Sequence, residues 1–72
     1  LQGKVVRIHT RLRFVVLDFS LDGLPSTGRV LGIYRLGARI GAVRVSGPSW
    51  ETHTVADILT GEIWVGDEVR LD

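Results

Sequence analysis

Period-two alternation, glycine-punctuated turns and the lack of any helical repeat make this an all-β chain, expected to form a small barrel of five or six mostly antiparallel strands in one domain. The alternation is clearest over residues 28–47, GRVLGIYRLGARIGAVRVSG, where Leu31, Ile33, Val43 and Val45 recur at the spacing that sends alternate side chains to one face. Two long strands are expected there, joined by a tight turn at residues 35–38 with Gly37 supplying a positive φ. Gly32 and Gly41 interrupt them where a bulge or bend would curl the sheet. No segment holds apolar residues at i, i+3, i+4 and i+7 over a helix's length, and one helical turn around residues 55–59 is the most the pattern allows.

The elements follow in order. Residues 3–9, GKVVRIH, read as a first strand at an edge of the sheet, with Val6 and Ile8 inward and Lys4 and Arg7 toward water. Residues 10–13 form a polar turn. FVVLDF, residues 14–19, is apolar on both faces and belongs in the middle of the sheet, with Val15 and Leu17 inside. Asp18 is then an outward strand residue beside a base such as Arg7 or Arg44, the alternative being a catalytic carboxylate. SLDGLPSTG, residues 20–28, concentrates turn chemistry. After the central hairpin, residues 47–49 are expected to break the strand and residues 50–58 to resume it, with Ala56 and Ile58 inward. Residues 59–61 read as a turn, and the closing strand contributes Val69 and Leu71. The expected core is Val6, Ile8, Val15, Leu17, Leu31, Ile33, Val43, Val45, Ile58 and Val69.

A chain of 72 residues buries only about 60% of the surface its unfolded form exposes. Its stability is accordingly on the order of 4–11 kcal/mol. With no cysteine, thiol nucleophiles, thiolate metal sites and disulfides are excluded. The absence of methionine, position 1 included, leads to the expectation of a domain processed or excised from a longer protein. No apolar run approaches the ~20 residues that span a bilayer, so no membrane insertion by this segment is expected.

Chemistry is sparse. A hydrolytic triad needs a nucleophile, a histidine and an orienting acid, and no nucleophile elbow lies near His9 or His53. The two histidines with Glu51 or Asp57 make a metal site only if the fold unites them. The DGLPSTG loop has no lysine after its glycine and no following helix to complete a phosphate site. The expectation is a non-enzyme with no cofactor, no metal and no small-molecule substrate. Aromatic and arginine residues are the better functional candidates, because Trp, Tyr and Arg dominate interface hot spots: Tyr34, Arg35, Arg39, Trp50 and Trp64. The competing reading places the tryptophans in the core or as its lid.

The net charge of +1 conceals an asymmetry. Residues 1–49 carry a net +6 and residues 50–72 a net −5. Either the acidic strands neutralise the basic ones across the sheet, or the molecule has a basic and an acidic face. Two faces on a barrel with open strand edges would permit head-to-tail self-association into a ring or filament. The rival class is a nucleic-acid-binding module, with Arg7, Arg11, Arg13, Arg35, Arg39 and Arg44 beside exposed aromatics; the near-neutral total opposes it.

Short strands with glycine turns suit small barrels of the SH3-like, OB-like or RIFT-like kind. The order GKVVRI, FVVLDF, DGLPSTG, VLGIYRLGARIGAVRVSG, VADIL and VGDEVRL resembles, over nearly the whole chain, small barrel domains of bacterial envelope proteins. Examples are the periplasmic barrels of the cell-shape scaffold protein MreC and the C-terminal barrel of the flagellar assembly protein FlgT. The resemblance implies a noncatalytic protein–protein interaction or assembly module in the bacterial cell envelope or periplasm, and transfers no active site.

Overall fold

Six strands form in chain order: β1 (Gln2–His9), β2 (Phe14–Asp18), β3 (Val30–Arg35), β4 (Ala38–Trp50), β5 (His53–Gly61) and β6 (Glu68–Leu71). The structure is a computed structural model and describes residues 2–71. Each strand pairs antiparallel with two neighbours, and the order β1-β2-β5-β4-β3-β6 closes on itself. The expected all-β barrel is therefore present, with six strands. Two expectations change with closure. β1 is no edge strand, because it pairs with β2 and β6. A barrel that closes also removes the open edges on which strand addition depends.

The interior holds Val5, Val15, Leu17, Phe19, Leu31, Ile33, Val43, Val45, Ala56, Ile63 and Val69, with Ile8, Ile40 and Ile58 partly buried against them. Alternation predicted most of this set; Phe19 and Ile63, just beyond β2 and β5, complete it, and three bulges interrupt the pairing. Val5 faces Leu17 and Arg7 faces Val16, so Val6 is the extra residue between them. It points outward, 41% exposed, and Val5 takes the interior place expected of it. Ile40 is the extra residue between the pairs Ile33–Gly41 and Tyr34–Arg39. Leu59 is extra between Ile58–Val43 and Thr60–Ala42, and it also turns outward. Of the two strand glycines, Gly41 adjoins a bulge, whereas Gly32 lies in regular pairing with Ala42 and Arg70.

Turn chemistry was read well at one hairpin and misplaced at another. Leu36 and Gly37 join β3 to β4 with φ of 52° and 83°, the pair of positive values of a type I′ turn. By contrast, β4 runs straight through Gly47 and Pro48. Ser46, Gly47 and Pro48 lie opposite Val55 as a wide irregularity, where a residue without an N–H costs no ladder bond. Ser46 Oγ donates to the Val55 carbonyl (3.3 Å), and the Ser49 and Thr54 hydroxyls hydrogen-bond at 2.7 Å, satisfying the buried Thr54. The turn between β4 and β5 is at Glu51 and Thr52 instead. Residues 59–61 continue β5, residues 55–59 hold no helical turn, and the single 3-10 turn among the described residues is Ser20–Asp22. Leu71 ends its strand at the barrel mouth and stays exposed.

Leu17 and Ile33 have no accessible surface and lie at the centre of the interior. Truncation of either to Ala is expected to cost about 3 kcal/mol in chemical denaturation. A loss below about 1 kcal/mol would show the interior to be packed on other residues.

Candidate interaction surface

Arg35 ends β3 and Asp67 precedes β6, and their pairing organises one corner of the barrel. Arg35 Nε donates to Asp67 Oδ1 (2.8 Å) and Nη2 to Oδ2 (2.7 Å), the two-pronged geometry that a planar guanidinium allows. Nη2 also donates to the Glu62 carbonyl at 3.0 Å. Asp67 is only 4% exposed and also accepts the Trp64 backbone N–H at 2.7 Å. Burial pushes the Asp67 carboxyl up, but the Arg35 side-chain bonds, the Trp64 N–H and the Arg35 charge outweigh it, leaving the carboxyl below its ordinary range. The Trp64 ring lies 3.6 Å from the Arg35 guanidinium carbon and is itself 54% exposed. Two of the candidates thus meet, though Arg35 is committed inside the molecule. The acidic C-terminal third is in part consumed in the same way, since Arg70 binds Glu68 at 2.9 Å and stacks on Tyr34 at 4.5 Å.

Trp50 stands elsewhere, on the outer wall formed by β1, β2, β5 and the end of β4. It stacks on His53 with ring centroids 5.6 Å apart, because the two residues face each other across the hairpin. Beside them is a groove of about 430 Å³ lined by Val6, Arg7, Val16, Trp50 and His53. The bulge at Val6 is what delivers an apolar side chain to this wall. Val16 and Val55, paired across β2 and β5, extend the apolar strip. Asp18 borders it. Its carboxylate accepts the Ser20 N–H (2.8 Å) and lies 3.8 Å from His53 Nε2. The Ser20 backbone bond, then a bond from Thr52, then the nearby His53, hold its carboxyl below the ordinary value. The expected neighbours of Asp18 were Arg7 and Arg44; register places those opposite Val16 and Asp57, and gives Asp18 to Lys4 and His53.

The remaining candidates scatter. Arg39 lies just past the β3–β4 turn, opposite Tyr34, and both make further interactions. His9 pairs with Phe14 and His53 with Asp18, so the histidines stand at opposite ends of β2 and on opposite sides of it, too far apart to share a ligand. Among the described residues no group of three or more His, Asp or Glu is arranged to hold a metal ion, and no helix is long and apolar enough to cross a membrane. Sequence reading missed the groove because its apolar wall depends on Val6 turning outward. Compared with protein-family models, curated proteins and solved structures, the chain matches none.

Proposed function

We propose that the domain is a noncatalytic protein-binding and assembly module, of the kind carried by scaffold proteins of the bacterial cell envelope. The observation that carries this reading is the aromatic, apolar groove on the outer wall, with Trp50 and His53 stacked at one side and Val6, Val16 and Arg7 at the other. A rigid tryptophan beside a cation is the composition from which interface hot spots are built. The resemblance to envelope barrels supports the same class. Because the closed barrel has lost its free edges, side chains must supply the contact, and the simplest partner is a second copy in head-to-tail register. Arg7 lines the groove, and Glu51, Asp57 and Glu62 are exposed acids for a neighbour's cations.

A nucleic-acid reading retains one observation. Lys4, Arg7, Arg11, Arg13, Arg29 and Arg44 make no ion pair with another described residue. Sedimentation equilibrium separates the classes. The assembly reading expects the mass to rise with concentration at low ionic strength, to fall with added salt because exposed charges are screened over about 10 Å, and to drop roughly tenfold in association constant in Trp50→Ala. A monomer mass at every concentration would overturn self-assembly. Oligonucleotide binding that weakens steeply with salt would move the protein to the rival class.

A further inference from the structure

The exposed apolar residues are not spread evenly over the barrel. Every pair of neighbouring strands is antiparallel, so the β1–β2, β3–β4 and β5–β6 connections all lie at one end and the other two connections at the opposite end. The first set carries Leu12, Leu36, Trp64 and Val65 at the loop tips, all more than half exposed. Leu59, near the end of β5, joins them.

Leu36 is the informative member. It is fully exposed, at 101%, and occupies the first central position of the type I′ turn with φ 52°. Asn, Asp or Gly would adopt that conformation readily, whereas a leucine there is strained by roughly 1 kcal/mol and makes no packing contribution in return. Such a residue gains only from something outside the chain. Beside the Leu12 tip, Arg11 and Arg13 in the β1–β2 turn have no ionic partner among the described residues. Arg35 and Asp67 neutralise each other, Arg39 makes an interaction of its own, and Glu62 and Asp57 are exposed acids toward this end. The cations open to an outside partner here are those of the β1–β2 turn. Neither the groove on the outer wall nor a second cleft of about 400 Å³ around Gln2, Lys4 and Asp22 is lined by these tips.

We propose that this end of the barrel is a docking rim for an anionic bilayer surface. Leu12, Leu36, Trp64 and Val65 enter the headgroup boundary, and Arg11 and Arg13 meet lipid phosphates. A fluid surface can receive separate protruding tips, whereas a protein partner would need a matching depression for each. Apolar area and cation–phosphate attraction add in such binding, and tryptophan favours the boundary layer. Shallow contact by loop tips is distinct from spanning, and among the described residues no helix is long and apolar enough to cross a membrane. The rim is separate from the groove on the outer wall, so the two readings stand or fall independently.

The test is flotation of the 72-residue chain with vesicles of phosphatidylcholine containing about one third phosphatidylglycerol at low salt. Binding is expected, with partition falling roughly tenfold or more in Leu36→Asp and again in Leu12→Asp. Arg11→Glu or Arg13→Glu should each weaken it about fivefold. These tip residues are exposed, so unchanged circular dichroism will confirm that the variants fold. In a Trp50→Phe background the remaining tryptophan, Trp64, should shift its emission to the blue on binding and be quenched by brominated lipid. Failure of the chain to float with these vesicles overturns the proposal. Binding that both leucine substitutions leave intact also overturns it, reducing the rim to a charged patch. Loss of self-association in Leu36→Asp, without vesicle binding by the unmodified chain, would assign the rim to a second copy instead.

Discussion

Gly61→Ala is expected to unfold the domain or to cost on the order of 4 kcal/mol or more, close to the whole stability of a chain this size. Gly61 faces Gly41 across β5 and β4, and the bulge at Leu59 brings the two backbones together there. A Cβ on Gly61 would collide with the Ile40 carbonyl oxygen and lie 2.7 Å from the Gly41 Cα. Both obstacles are backbone, which cannot swing aside as a side chain can. The residue also has φ of 91°, where an L side chain is strained. The reciprocal change, Gly41→Ala, meets the Thr60 carbonyl oxygen at 2.5 Å and should be nearly as damaging. Thermal and urea denaturation decide the matter. A Gly61→Ala variant melting within a few degrees of the parent would mean that β4 and β5 do not approach in this register.

Asp67→Ala is expected to destabilise the barrel by about 3 kcal/mol, the low end of the cost of breaking a buried pair. The low end applies because Arg35 keeps 24% of its side-chain surface and part of its hydration. The substitution also removes the acceptor of the Trp64 N–H and so loosens the loop that places Ile63 in the interior. Arg35→Ala should also destabilise the barrel, since it leaves a carboxylate at 4% exposure without its cation. The pH dependence has a definite sign. Asp67 and Asp18 both have carboxyls held below the ordinary range in the folded state. Their contribution is present in full above the unfolded value near 4 and is lost as pH falls through the lower folded values. Melting temperature should therefore drop below about pH 4, less steeply in Asp67→Asn. An acid limb identical in Asp67→Asn and the parent would show that this pair does not govern acid stability.

The inward faces of β2, β3 and the first half of β4 were legible from local pattern alone. Strict alternation from Val15 to Leu17, Leu31 to Ile33 and Val43 to Val45 admits one orientation, because a strand repeats every two residues. The Leu36–Gly37 turn was legible for the same reason, since its length and a glycine select the turn type.

What only the tertiary structure decided depends on partners distant in the chain. Val6 and Leu59 point outward because of register against β2 and β4, and one inserted residue reverses the parity of everything before or after it. Local alternation carries no trace of that register, so it assigned Val6 to the core and overlooked the groove that Val6 lines. Arg35 and Asp67 are separated by 32 residues, and closure of the barrel between β3 and β6 turns one member of a basic surface into an internal clamp. The gathering of Leu12, Leu36 and Trp64 at one end has the same origin: the Leu12 and Leu36 tips were predictable as turns and the third was expected earlier, at residues 59–61, but only the strand order and its antiparallel directions put the three connections at one end.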